Sequence, residues 1–259
     1  MTTRTTPPAG APVWADLWTS DVERARSFYG ELFGWEAEEP NPEFGGYFQF
    51  HYQGSPIAGG MGDMPDVPAQ NVWTTYFHTN DIDRVANATS DNGGIPLFEP
   101  MAVADLGKQF QFTDPQGGGA GVWEPGTFSG FATIGEPNTP SWFELHTRDH
   151  ASATAFYANV FGWDYDKVSD VDEFRYWMVK DPTGGEGLAG LMDNHNDLPE
   201  GAPAYWQIYW EVADVDATVT TALANGAAVT HPAEDTPYGR LAVLSDPMGA
   251  AFSLRTSPA

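Results

Sequence analysis

The order of apolar and polar residues along this chain is written out twice. Near the start, Trp14-Ala15-Asp16-Leu17-Trp18 alternates with the period of a half-buried strand and runs into Thr19-Ser20-Asp21. From Val22 to Leu32 the period changes. Val22, Ala25, Phe28, Tyr29 and Leu32 fall on one stripe, which predicts an amphipathic helix with Asp21 as N-cap and Gly34 as its stop. Extended runs follow at Tyr47 to Tyr52 and Pro56 to Met61. A second strand then leads from Trp73 to Asp81, with a helix from Ile82 to Ser90 ended by Asn92-Gly93-Gly94. Further strands are expected around residues 101–103, 109–113 and 119–123. Asp114-Pro115-Gln116-Gly117 makes the tight turn between the last two.

All of this recurs. Trp142 to Asp149 and Phe156-Tyr157…Phe161-Gly162-Trp163 repeat the first strand and helix at an offset of 128 residues. Asp149 and Asp214 stand as helix caps, Asn225-Gly226 ends the last helix, and Asp246-Pro247-Met248-Gly249 repeats the turn. A repeat at fixed offset near half the chain length means duplicated domains. The chain therefore reads as four β-α-β-β-β modules in two domains, 13–125 and 140–256. A mobile tail of residues 1–12 is expected before them, and a Gly/Pro/Ser/Asn-containing linker, 126–139, joins them. The 259 residues suit two domains of about 125 each.

Composition narrows the partners. A net charge of −25 repels phosphate backbones and anionic lipids, so neither nucleic acid nor a membrane surface is expected as partner. The absence of cysteine removes disulfides, thiolate nucleophiles and thiolate metal sites. No apolar run is long enough to span a bilayer, and the first dozen residues lack the apolar stretch of a signal peptide. A cytoplasmic monomer or homodimer is the expectation. Ten Trp and sixteen Phe exceed what packing alone requires, so some are expected to line pockets.

Strand alternation places the residues seven, five and three before each capping Asp on one face. These are Trp14, Asp16 and Trp18; Thr74, Tyr76 and His78; Trp142, Glu144 and His146; and Gln207, Tyr209 and Glu211. Aliphatic residues are missing from the set. Aromatic walls with a few hydrogen-bonding groups suit a planar organic ligand held by Trp14, Asp16, Trp18, Tyr76, His78, Trp142, Gln207 and Tyr209. The alternative is an inert sheet face with water-filled remnants. Glu144, His146 and Glu211 form a candidate acid–base set, with His146 opposite Glu211. With Gln207 they could instead hold a metal, or His146 could merely satisfy a neighbouring carboxylate. Asp16 and His78 are a poorer set of the same kind. Lys108 and Arg240 occupy matched places in the two hairpins, as anion ligands or as surface charge. No phosphate loop, nucleophile elbow or zinc motif is present.

The Trp-x-[Asp/Glu]-Leu-x-Thr-x-Asp openings, the Phe-Tyr…Phe-Gly-Trp helices and the Asp-Pro-x-Gly turns resemble the vicinal oxygen chelate superfamily, which includes glyoxalase I, bleomycin-resistance proteins and extradiol dioxygenases. The paired halves look most like its tandem glyoxalase-like "hydroxylase" or 27–30 kDa antigen group in actinobacteria. The resemblance implies an α+β fold, two tandem glyoxalase-like domains in which paired modules curve a mixed sheet into a cup flanked by helices. It also implies a metal held by the residue seven before each capping Asp and by a Glu seven after the turn Asp. Here those positions carry Trp14, Thr74, Trp142, Gln207, Gly121 and Ser253. Only Gln207 matches, so no metal at that place and no cofactor are expected. The function expected is that of a small-molecule binder without the usual metal ligands. The alternative is a lyase, isomerase or oxygenase working through Glu144, His146 and Glu211. A third reading has vestigial cups plugged by their own side chains. Whether a cup forms within one half or between halves is open at this stage.

Overall fold

The computed structural model describes residues 7–64 and 67–258. The first half runs β1 (Pro12–Trp18), α1 (Val22–Phe33), β2 (Glu36–Ala37), β3 (Phe48–Tyr52), β4 (Ser55–Met61), β5 (Val72–His78), α2 (Ile82–Asp91), β6 (Ile95–Pro96), β7 (Met101–Val103), β8 (Gly107–Thr113) and β9 (Gly119–Pro125). The second runs β10 (Pro140–Thr147), α3 (His150–Phe161), β11 (Tyr165–Val171), β12 (Phe174–Val179), β13 (Gly190–Asp193), β14 (Tyr205–Glu211), α4 (Val215–Ala224), β15 (Ala228–Thr236), β16 (Gly239–Ser245) and β17 (Ala251–Thr256).

The caps work as the pattern requires. The carboxylates of Asp21, Asp81, Asp149 and Asp214 each accept from the backbone N–H three residues on. Gly34 and Gly162 close α1 and α3 with φ of 69° and 75°, a conformation a side chain would resist.

Each half builds its own sheet, which answers the question the sequence left open. The strand orders are β2-β3-β4-β1-β5-β9-β8-β6, with β7 also on β8, and β11-β12-β13-β10-β14-β17-β16-β15. In both, the first strands of the two modules pair antiparallel at the centre, and each is flanked by the last strand of its own module in parallel. This is the expected pair of curved mixed sheets.

The helix-bearing faces of the two sheets meet in one continuous core. Helix α1 packs on α4 and α2 on α3. The Phe-Tyr…Phe-Gly-Trp residues of each half pack against the other half's sheet. Trp35 lies 4.9 Å from Trp210, and Phe77 lies 4.8 Å from Trp206 and 5.4 Å from Trp163. Much of the aromatic surplus is thus spent in this core. The same motif carries a polar lock. Trp73 Nε1 donates to the Tyr29 hydroxyl (2.9 Å), which donates to the turn carboxylate Asp246 of the other half (3.0 Å). Trp206, Tyr157 and Asp114 repeat the chain of bonds in the opposite direction at 2.9 and 3.1 Å. Because the core claims one face of each sheet, the concave faces point away from it.

Two segments differ from expectation. Residues 1–6 of the expected tail lie outside the described residues, but the last of it is docked rather than loose. The Gly10 N–H donates to His78 O, and Trp163 Nε1 donates to Gly10 O. The linker is likewise not a free tether. Phe131 N–H donates to Val13 O on β1, and the rings of Phe128 and Phe131 lie 4.8 and 5.5 Å from Trp14. No helix among the described residues is long and apolar enough to cross a membrane.

Candidate functional site

The two concave faces carry the same cage. In the first cup Asp16 Oδ1 accepts from Trp14 Nε1 (2.9 Å) and from the Tyr47 hydroxyl (2.8 Å), with Tyr76 as a further partner. Trp14 Nε1 also reaches the Tyr47 oxygen at 2.9 Å, and Gln111 donates to the Tyr76 hydroxyl at 2.6 Å. In the second cup Glu144 accepts from Trp142 Nε1 (3.3 Å) and the Tyr209 hydroxyl (3.1 Å), with Tyr176 as a further partner. Trp142 Nε1 donates to the Tyr176 oxygen at 2.9 Å. The register explains the match: Trp14 lies across from Tyr76 and Trp142 across from Tyr209. Gly59 and Gly190 are required beneath the tyrosines, since a β-carbon at either would overlap the hydroxyl of Tyr47 or Tyr176.

The cages differ in what stands beside the carboxylate. In the second cup, His146 Nε2 lies 3.0 Å from Glu144 Oε1. The contact is close enough for the imidazole to favour the ionised carboxylate. His146 lies flat against Tyr205 (centroids 4.9 Å, planes 2° apart), and its Nδ1 faces the Asn194 amide at 3.3 Å. Burial pushes the Glu144 carboxyl up, but His146 and the phenols of Tyr176 and Tyr209 outweigh it, and its pKa falls below the usual value. In the first cup position 146 is matched by Trp18, whose indole donates to Gly62 O instead. No imidazole stands beside the carboxyl there, and burial pushes Asp16 up to about 6 despite its three donors.

The cups also differ in cover. Phe128 and Phe131 close over Trp14, which is 4% exposed. No aromatic contact covers Trp142 among the described residues, and it stays half-buried, as does His146. At this mouth Tyr205 is exposed, and Tyr238, from the hairpin between β15 and β16, approaches Tyr176 from the opposite end of the sheet, 6.3 Å away.

The structure brings Trp142, Glu144, His146, Gln207 and Tyr209 together in the second cup and Trp14, Asp16 and Tyr76 together in the first, and separates Glu211 and His78 from both sets. Glu211 is not opposite His146. Strands β10 and β14 are antiparallel, so His146 lies across from Tyr205, six residues from Glu211, or roughly 20 Å along the strand. Glu211 is bound instead to the Ser257 amide and hydroxyl (2.7 and 3.0 Å) and faces Arg255 at 3.6 Å. His78 is displaced from Asp16 by the same geometry, and its Nδ1 meets Pro8 O at 3.1 Å. Lys108 pairs with Glu124, and Arg240 with Asp216 and Asp235, so the matched cations are hairpin surface charge. Tyr47 and Tyr176, the missed members of the cages, sit outside the strand positions counted back from the capping Asp. The signal that could have found them is the repeat of Tyr47 and Gly59 as Tyr176 and Gly190.

A metal at the position implied by the resemblance would have to be held by Trp14, Thr74 and Gly121, or by Trp142, Gln207 and Ser253. A β-carbon at Gly121 would overlap the Tyr76 ring, which fills that space. Among the described residues no group of three or more His, Cys, Asp or Glu side chains converges on one point.

The family model of the Glyoxalase/Bleomycin resistance protein/Dioxygenase superfamily matches residues 11–119 and 139–254. The chain is 32% identical over 250 residues to the provisionally named glyoxylase CFP32 of Mycobacterium tuberculosis, covering 95% of this chain and 94% of the relative. It is 34% identical over 271 residues to the anthracycline biosynthesis protein DauV of Streptomyces sp. strain C5, covering 95% and 92%. Among solved structures it is similar to the Mn(II)-bound glyoxalase of Novosphingobium aromaticivorans. That match has a TM-score of 0.65 and 15% identity over 96% of this chain and 82% of the other, which is a likeness of fold alone. The chain belongs to the glyoxalase/bleomycin resistance/dioxygenase superfamily.

Proposed function

We propose that the second cup binds a planar organic molecule, stacked on Trp142 and Tyr205 and oriented by Glu144 and His146. The observation that carries this reading is the buried Glu144 carboxylate paired with half-buried His146 beneath an aromatic mouth that no linker aromatic covers among the described residues. The equivalent face of the first cup is stoppered by Phe128 and Phe131, so Trp14, Asp16, Trp18 and Tyr76 serve there as a structural cage. The donor set at the family's metal position supports a mode of binding that does not depend on a metal there. A relative named for anthracycline biosynthesis supports the ligand class, an anthracycline being a flat fused-ring aromatic.

Stacking on a partly desolvated indole contributes roughly 0.5–1.5 kcal/mol beyond burial, and a lost buried hydrogen bond costs about 1–3 kcal/mol. Trp142→Ala should therefore weaken binding of a flat aromatic by about tenfold or more, while Trp14→Ala leaves it unchanged. Titration of candidate aromatics against tryptophan fluorescence measures both. Equal loss in the two variants would defeat the assignment to the second cup.

A second reading, enzymatic, is favoured by the same pair. A carboxylate with a depressed pKa beside an imidazole could move a proton to or from a bound ligand. A lyase or isomerase reaction that moves a proton could use such a pair, and Glu211 has no part in it. His146→Ala that keeps binding yet abolishes turnover of a ligand would establish this reading. Turnover surviving in both His146→Ala and Glu144→Gln would end it.

A further inference from the structure

Beside His146, whose Nε2 faces Glu144, two uncharged polar side chains in the second cup have no hydrogen-bond partner among the described residues. Gln207 is 4% exposed and its amide nitrogen donates to nothing; Ser253 is fully buried and its hydroxyl is equally alone. Both lie on the concave face. Gln207 sits directly across from Glu144, and Ser253 directly beside Tyr209, whose hydroxyl donates to Glu144. Buried donors without acceptors are rare and destabilising, so a pair of them at the bottom of one cup marks a place where an acceptor belongs.

We infer that Gln207 Nε2 and the Ser253 hydroxyl form an oxygen-binding floor that takes a neutral carbonyl or phenolic oxygen at the edge of the planar ligand. This rests on the proposed binding of a planar molecule in the second cup and adds what that molecule must carry. The amide nitrogen of Gln207 can only donate and the Ser253 hydroxyl can donate beside it, so an oxygen acceptor would satisfy both. The neighbouring Glu144 carboxylate and the net charge of −25 disfavour an anionic oxygen, which leaves ketones, quinones and un-ionised phenols. The floor belongs to the second cup alone. The matching residues of the first cup are Thr74 and Gly121, and the Tyr76 ring fills the space over Gly121.

The test uses two neutral flat probes of one shape, 9-fluorenone with a ring-edge carbonyl and fluorene without it, in equilibrium dialysis with the full-length protein. The unsubstituted protein should hold fluorenone about tenfold tighter than fluorene, the worth of one or two buried hydrogen bonds. Gln207→Leu with Ser253→Ala should bring that ratio to about one while fluorene affinity is kept, and thermal melts check that the variant is folded. Gln207→Glu, which replaces the donor with an acceptor, should do the same, whereas Ser253→Thr should retain the preference. A ratio near one in the unsubstituted protein would mean that only water occupies the floor, and a ratio unchanged in the double variant would place the discrimination elsewhere. Either result overturns the inference but leaves planar binding standing. If neither probe binds, the inference and the planar-ligand reading fall together.

Discussion

Two cups descended from one ancestor hold nearly the same carboxylate cage, yet their carboxyls shift in opposite directions. In each, an indole N–H and two phenols surround an acid on the central strand. Donors of this kind favour the ionised form, and burial disfavours it. In the first cup burial wins, and Asp16 is raised to about 6. In the second, His146 stands where the first cup has Trp18, and Glu144 is lowered. The residue two places along the strand, Trp18 or His146, thus accompanies a carboxyl raised by burial in one cup and lowered in the other. At Asp16 the three neutral donors do not offset burial, whereas at Glu144 the donors and the neighbouring imidazole together do.

The largest effect expected from breaking this contrast is on stability. Asp16 has a folded pKa above its unfolded value of 3.8, so the native state holds a proton that the unfolded chain has lost. Its contribution is most favourable below about pH 4 and is lost as pH rises through 6. At neutral pH the ionised group costs on the order of 3 kcal/mol. Asp16→Asn, which keeps an acceptor oxygen for Trp14 and Tyr47, should raise the neutral-pH melting temperature by several degrees and flatten the pH dependence between 4 and 6. Glu144→Gln should act in the opposite sense. The lowered pKa gives stability that is present above the unfolded value and lost as pH falls through the folded one. That variant should be less stable at neutral pH and converge with the parent in acid. Parallel pH–melting curves for the two variants would dissolve the contrast.

A smaller effect is expected under the tyrosines. Gly59→Ala would drive a β-carbon into both the Tyr47 hydroxyl and the Asp16 carboxylate, in a cup already closed by Phe128 and Phe131. A loss of about 1–3 kcal/mol is expected by denaturant unfolding. At Gly190 the three atoms nearest the added methyl all belong to the Tyr176 ring and hydroxyl, beside the open mouth, where the ring can give way. Gly190→Ala should therefore cost less, and a cost equal to that of Gly59→Ala would show that the second cup is sealed as tightly as the first.

What the sequence disclosed follows from how far each signal reaches. Helix caps, turns and strand alternation are local, so the four modules and their order were legible, as was the inward placement of Trp14, Asp16, Trp142 and Glu144. The pairing across strands was not. Counting back equally from Asp149 and Asp214 treats β10 and β14 as if they ran side by side. They run antiparallel, with a register shift between Pro140 and Trp142, so equal counts put His146 and Glu211 at opposite ends. The turn carboxylates Asp114 and Asp246 read as local turn residues, and their bonds to Tyr157 and Tyr29 of the other half exist only once the halves are packed. The linker's Phe128 and Phe131 lay in a stretch without period, and nothing local marks them as the stopper of one cup.

The smallest and most direct expectation is a reciprocal exchange of the residue that sets the two cups apart. His146→Trp would leave Glu144 with its phenols and indole but no imidazole, the condition of Asp16, and its pKa should rise above the usual carboxyl value as burial takes over. Trp18→His would place an imidazole two residues from Asp16, as His146 is placed from Glu144, and should bring Asp16 down from about 6 toward the usual carboxyl value. The Trp18 indole holds only Gly62 O, so its removal leaves the cage of Trp14, Tyr47 and Tyr76 in place. Carbon-13 NMR titration of the side-chain carboxyls follows each group directly. Opposite movements in the two variants would assign the contrast to this one position. If Asp16 still titrates near 6 in the Trp18→His variant, the cause lies instead in the cover that Phe128 and Phe131 provide, and Phe128→Ala would then be the substitution that lowers it.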